Sequence, residues 1–437
     1  MQNLSAYLEE LPVSRLPQTL QDAILTTQKI GLSYLWIDSM CIIQDDKVDK
    51  KFEIANMRKI FKNACVTIVA ACSKSAYEGF LHPRKEPSSG VLRLPFLCPS
   101  REIGTIYLGW QQSTQEIDLS QADIYTKTNP IESRCWTLEE KLLSQKMLIY
   151  SSTNLIWICK TKTSFGGGGW DFRPGPKLIS IDGTTKPQGR TWREIIADYS
   201  QRLLSDERDK LRAISGLAQE CSFRHPDQYL AGLWRSEMPR DLLWRVPEEA
   251  PQAISISTLL TAPSRILETR RQKVFSAARH MQYRAPSWSW ASVDSPVVWL
   301  NYPSFSKHDN FELVDCSVTT ASVQEPYGDV TDAKLRVRGP LVPLGSEQQM
   351  LAGVSHITCY FEDPVVHTSK EIFGLIVGRY IGGVWKREEW AGLLLCREPC
   401  AQHITTEFRR IGCFYTFDPD GLPEAVTGYS IEEVAIV

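Results

Sequence analysis

No stretch of this chain stays apolar for the roughly eighteen residues that a membrane-spanning helix needs. Its opening, MQNLSAYLEELPVSRLPQTL, also lacks the basic start and apolar core of a secretory signal. The cytosol is the expected compartment, with no membrane span. There is no long basic block and the formal net charge is only −2, so the electrostatic footprint of a nucleic-acid-binding protein is missing. The seven histidines are scattered, none beside a serine or cysteine in a nucleophile turn, which leaves a hydrolase triad without support. Internal repeats and low-complexity segments are absent too.

Cysteine is plentiful, with twelve in the chain, but it lacks the regular spacing of a disulfide framework. Most cysteines sit in apolar runs, as reduced core residues do. Cys396, Cys400 and His403 come nearest to a metal pattern. Their C-x3-C-x2-H spacing has no evident fourth ligand and is not the C-x2-C of structural zinc sites, so no metal is expected. Gly166 to Gly169 lack the lysine and hydroxyl residue of a phosphate loop and are expected to be linker.

What is present is a globular composition, 43% hydrophobic and 23% charged, over 437 residues, enough for two or three domains. From Leu16 to Ile30 the residues Leu20, Ala23, Ile24, Thr27 and Ile30 recur at helical spacing, and Gly31 follows as a stop. SYLWID, Ser33 to Asp38, is a short continuous apolar run, the pattern of a strand buried on both faces. The next segment carries Ile54, Met57 and Phe61 on one helical face, with Asp45, Asp46 and Asp49 around its start, where carboxylates suit the positive end of a helix. CVTIVAAC, Cys65 to Cys72, is a second buried-type strand. Helix, strand, helix, strand in this order predicts a right-handed α/β unit with its ligand edge at the carboxyl ends of the strands, where Asp38, Gln44 and Asp45 fall.

Residues 77 to 131 are proline-interrupted and irregular; TLEEKLLS then predicts a helix, and KMLIY and NLIWICK two strands. The expected organisation is an α/β domain over residues 1–165, a Gly/Pro-rich linker over 166–190, a helical middle over 191–283, and a β-rich domain over 284–437. In the last, Trp288 and Trp290 would share one side of a strand. That places them either in packing against the α/β domain or on an exposed partner surface.

Three stretches, YLWIDSMCIIQDD with MRKIFKNACVTIVAA, SRCWTLEEKLLSQKMLIY, and RAPSWSWAS, together resemble the heterokaryon-incompatibility (HET) domain proteins of filamentous fungi. The resemblance runs over most of the chain. It departs from the family at Cys135, where glycine is usual, and at Lys141, where arginine is usual. The family's usual first strand, which precedes WID by some tens of residues, also has no counterpart in this chain. An unpaired strand edge is therefore expected there, covered by Met1 to Val13 or used for dimerisation.

The resemblance implies a TIR-like fold, a parallel sheet with helices on both faces, and a role in non-self recognition through protein partners or self-association. It also implies a second reading. TIR domains that cleave NAD carry a tryptophan followed four residues later by a glutamate, and Trp136 and Glu140 have that spacing. Positions i and i+4 share a helix face, so Trp136 could wall a pocket in which Glu140 stabilises the positive charge that builds on ribose as the nicotinamide bond breaks.

Glu140 and Asp38 are thus the candidate catalytic carboxyls, and Trp136, Gln44, Asp45 and Arg134 the candidate ligand contacts. NAD would be a substrate, and no cofactor is otherwise implied. A third reading keeps the scaffold and gives Asp38 and Glu140 a step on another small metabolite. The plain alternative makes Trp136 a core anchor, Glu140 a solvated partner of Lys141 or Arg134, Glu139 surface charge, and Asp38 a helix cap.

Overall fold

A computed structural model describes residues 4–83, 91–97, 101–109, 130–152, 155–159, 162–165, 191–224, 226–247, 282–300, 304–345, 357–362, 371–382, 387–398, 407–416 and 430–437. Helices and sheets are mixed, and the chain divides into two compact units, Met1–Gly189 and Arg190–Val437. The glycine run at 166–169, the linker, Cys400 and His403 lie outside the described residues. Among the described residues no cluster of histidine, cysteine and acidic side chains could hold a metal ion, and no helix is long and apolar enough to cross a membrane.

The first unit begins with α1 (Leu4–Glu9), which buries none of its residues. Helix α2 (Gln18–Lys29) follows the apolar spacing, burying Leu20 and Thr27, and stops at Gly31, whose φ of 77° suits glycine. Asp22 of α2 is buried and accepts from the main-chain N–H groups of Phe80 (2.6 Å) and Leu81 (3.0 Å). Gly79 makes that clasp possible: its φ is 70°, and a Cβ there would lie 2.6 Å from the Asp22 carboxylate.

The short helix α3 (Asp38–Cys41) leads to α4 (Lys47–Asn63). Asp46 caps α4 by accepting from Val48 and Asp49 main-chain N–H groups, and Asp49 in turn accepts from Ile43 N–H at 2.8 Å. Strand β1 (Thr67–Val69) follows. A separate ribbon comprises β2 (Val91–Leu97) and β3 (Ile103–Gly109). Then come α5 (Trp136–Leu143), β4 (Lys146–Tyr150), β5 (Leu155–Cys159) and β6 (Lys162–Phe165).

The sheet order is β1-β4-β5-β6, with β1 parallel to β4 and the other pairs antiparallel. The expectation of a parallel sheet is thus met at one pair only. Ser33–Asp38, predicted as a buried strand, enters no sheet, and Tyr34 is 93% exposed. A continuous apolar run can form a strand only where a neighbouring strand satisfies its main chain, and among the described residues none pairs with this one. Strand β1 is shorter than the predicted Cys65–Cys72, and its three residues are half-buried rather than covered on both faces. A core cluster of this unit joins Ala71 to Met147, Ile149, Ile156 and Ile158, the last four being alternate residues of β4 and β5 that face the same way.

The second unit opens with α6 (Trp192–Tyr199), held at its start by a reciprocal Thr191–Glu194 capping box. It continues through α7 (Ser215–Arg224), a small hairpin of β7 (Tyr229–Leu230) and β8 (Leu233–Trp234), and α8 (Met238–Asp241). Eight strands then form one sheet: β9 (Ser304–Lys307), β10 (Glu312–Thr320), β11 (Val330–Gly345), β12 (Ile357–Phe361), β13 (Ile372–Gly382), β14 (Arg387–Arg397), β15 (Glu407–Thr416) and β16 (Ser430–Ile436).

The sixteen-residue β11 pairs with β16 through Leu335–Leu341 and with β13 through Leu341–Gly345. Because β13, β14, β15 and β16 are themselves paired in succession, the sheet closes on itself into a barrel. Neighbouring residues on opposite faces, such as Leu393 and Leu394, are both fully buried.

Trp288 and Trp290 are not on a strand. They lie in a turn and a 3-10 segment and are completely buried within this unit, so the reading of an exposed partner surface is overturned. The Trp290 indole N–H donates to the Gly232 carbonyl at 2.9 Å, and the Trp244 indole donates to the Trp288 carbonyl at 3.0 Å. A serine and proline-flanked sequence with two large indoles makes a compact plug in which the Trp290 N–H and the Trp288 carbonyl are hydrogen-bonded, a packing need that strand spacing does not reveal.

Candidate functional site

A cavity of about 790 Å3 lies in the first unit between α2, the Ser33–Asp38 segment, the end of α4, β1 and α5. That volume suits a small-molecule or peptide site. Much of its wall is apolar, including Leu20, Leu35, Trp36, Phe61, Ile68 and Phe80, and the Trp36 and Phe61 rings meet edge to face at 5.8 Å. Asp38, Arg134 and Glu140 join that wall, beside the Glu132–Lys141 ion pair (3.2 Å).

Local sequence explains how α5 presents its glutamate. Cys135 gives the helix no side-chain cap; Thr137 ties its first turn instead, donating to the Ile131 carbonyl (2.9 Å) and the Arg134 carbonyl (2.8 Å). At the other end Ser144 donates to the Glu140 carbonyl at 2.7 Å and its oxygen lies 2.7 Å from that of Thr67, fastening α5 to the start of β1. Leu138 and Leu142 face the interior, and Glu140 is held where the wall of the cavity desolvates it. Burial pushes its carboxyl up to about 7, the Asp38 carboxylate adds to the rise, and Arg134 opposes it. A carboxyl with that affinity can hold or release a proton near neutral pH, as a general acid or base must.

The structure therefore brings together Glu140, Asp38 and Arg134. It does not bring Trp136 to the same cavity: Trp136 starts α5 and is half-buried, outside the lining. Gln44 and Asp45 are exposed and likewise outside the lining; the Gln44 amide donates to the Asp38 carbonyl (3.2 Å) and the Ile42 carbonyl (3.1 Å). Asp38 begins α3, and its carboxylate accepts from Ser39 N–H at 2.7 Å.

Glu139, which the plain alternative makes surface charge, is buried at 4% exposure, and Lys141 pairs with Glu132 rather than with Glu140. Trp36 and Phe80 are lining residues that the sequence did not single out. Trp36 within an apolar run and Phe61 on the apolar face of α4 were visible as hydrophobes. Only the fold shows that they meet across a cavity.

Residues 2–140 match the family described as heterokaryon incompatibility protein (HET). No curated protein and no solved structure matches the chain.

Proposed function

With residues 2–140 carrying a heterokaryon incompatibility domain, we propose that this chain acts in the cytoplasm as an effector of fungal non-self recognition, in which the meeting of incompatible partners triggers death of the fused cell. The family match carries the reading. Protein contacts or self-association would bring the domains together, and the parallel β1–β4 pair flanked by α4 and α5 supports a TIR-like arrangement.

A second reading is favoured by one observation, the cavity in which Glu140 holds its proton to about 7 with Asp38 and Arg134 in the same wall. It is the hydrolysis of NAD. In that reaction the bond between the ribose anomeric carbon and the nicotinamide nitrogen breaks, and its electron pair goes to nicotinamide. The ribosyl cation is stabilised by the Glu140 carboxylate, and a water adds to the carbon as Glu140 takes its proton. The positive charge of the bound nicotinamide would itself favour the ionised form of Glu140 before the bond breaks. Asp38 adds negative potential, and Arg134 is a cation suited to the pyrophosphate.

The test is expression of the chain in a filamentous fungal host, scoring cell death and nicotinamide release together, alongside Glu140→Gln at matched thermal stability. Death and release by the parent, both lost in the variant, are expected. Death by both proteins without release would leave the effector and remove the hydrolase. Absence of death at every expression level would overturn the effector reading.

A further inference from the structure

The cavity of the first unit is charged on one side only. Every charged side chain in its described lining, Asp38, Glu132, Arg134, Glu140 and Lys141, belongs either to the start of α3 or to α5 and the turn before it. Helix α2 and strands β1 and β4 contribute no charge; among their lining residues are Leu20, Ala23, Ile68, Met147 and Ile149. A space divided in this way fits an amphipathic molecule, with a polar head at one wall and an apolar body against the others.

The charged wall also has a sign. Lys141 and Glu132 offset each other as an ion pair at 3.2 Å. Of the other three, Arg134 is exposed, so water screens its charge. Glu140 is desolvated in the wall, and the charge of Asp38 works against its ionisation. Among the described residues no hydrogen bond or ion pair reaches the Glu140 carboxyl. Two carboxyls that oppose each other's ionisation hold a proton more tightly, and for the same reason they favour any other cation that reaches them. Trp36, two residues before Asp38, lines the same space, and an indole ring attracts a positive nitrogen.

We propose that the cavity binds an amphipathic organic monocation, with its ammonium nitrogen beside Glu140 and Asp38 and its apolar body against α2, β1 and β4. The proton that Glu140 holds and the cation compete for one position, and burial of the apolar body offsets the cost of desolvating the head. The proposal rests on the same cavity as the hydrolase reading but is measured as binding without NAD, so either can fail alone.

The test is calorimetry of the full chain at pH 8 with octylamine, its neutral counterpart octanol and its anionic counterpart octanoate. Octylamine is expected to bind about tenfold more tightly than octanol, or better, and octanoate more weakly still. Shortening the amine to butylamine should weaken binding by about fourfold for each methylene lost. The bound cation requires an ionised Glu140, whose carboxyl sits at about 7, so octylamine affinity should fall by about tenfold from pH 8 to pH 6. Glu140→Gln should abolish both the preference for octylamine and its pH dependence while leaving octanol binding in place. Asp38→Asn should reduce the preference without abolishing it. Equal binding of octylamine and octanol would make the site a plain apolar pocket and overturn the proposal. Tighter binding of octanoate, failure of octylamine to bind at millimolar concentration, or a preference that survives in Glu140→Gln would overturn it as well.

Discussion

The two units of this protein treat the edges and faces of their sheets in opposite ways. In the second unit β11 bends from one neighbour to another and closes the sheet, so that residues on both faces are buried. In the first unit the sheet stops at β1, whose residues are half-buried and whose outer edge lies against a cavity. Closure satisfies main-chain groups and leaves little room for chemistry. An open edge leaves both groups and volume available. The contrast predicts a more stable second unit and a first unit that keeps the volume and perturbed charge a site would need.

The largest effect that can sharpen this contrast belongs to the barrel. Arg410 is fully buried, pairs with the buried Glu362, and stacks its guanidinium 3.6 Å from the centre of the Trp244 ring. Arg410→Ala removes the guanidinium that pairs with the buried Glu362 and should destabilise the second unit by about 3–5 kcal/mol. Urea unfolding checks it. Arg410→Met combined with Glu362→Leu, which removes both charges, should recover most of the loss. A small effect of the single variant would show that the barrel does not depend on its buried pair, and the comparison would weaken.

A smaller effect is expected in the first unit, and it has a sign that the barrel pair lacks. Folding raises the Glu140 carboxyl from an ordinary 4.5 to about 7, so between these values the folded chain binds more protons than the unfolded one. Stability contributed by the protonated form is full below about pH 4.5, falls as pH rises toward 7, and is absent above it. Its upper bound is roughly 3 kcal/mol. Glu140→Gln should therefore match the parent at pH 4.5 and exceed it in urea midpoint at pH 8. Equal stabilities at both pH values would mean that Glu140 is not desolvated by the cavity wall.

A third test compares packing directly, and its readout is the difference between two substitutions. Leu393→Ala, at a residue with 0% exposure in the barrel, should cost about 2–5 kcal/mol. Ile68→Ala, at a half-buried residue of β1, should cost roughly half as much, because part of its surface already meets water or empty cavity. Equal costs, measured as changes in urea midpoint for each unit's transition, would break the distinction between a finished and an unfinished sheet.

Much of the local structure was legible. The apolar spacing and Gly31 marked α2, Asp46 marked the start of α4, and KMLIY with LIWIC marked β4 and β5. The pairing of the site was legible in part. Asp38, Arg134 and Glu140 were named from sequence and do share a cavity, whereas Trp136 shares the helix with Glu140 but not the lining. An i, i+4 relation puts two side chains on one helix face; it does not say how wide the cavity is or where it opens. Ser33–Asp38 and Trp288–Trp290 misled for a related reason: apolar runs and alternate aromatics report burial, while a strand also requires a partner.

By itself, the sequence determined helix limits, caps and which faces are apolar, because those depend on residues within a few positions of one another. It also carried the family likeness over its first 140 residues, which the HET match bears out. Tertiary structure alone decided that the barrel closes through β11, that Arg410 lies buried against Trp244, and that Ser33–Ile37 joins no strand among the described residues. These outcomes depend on which distant segments meet. Hydrogen-bond pairing, desolvation and packing are properties of that meeting, and no short stretch of chain encodes them.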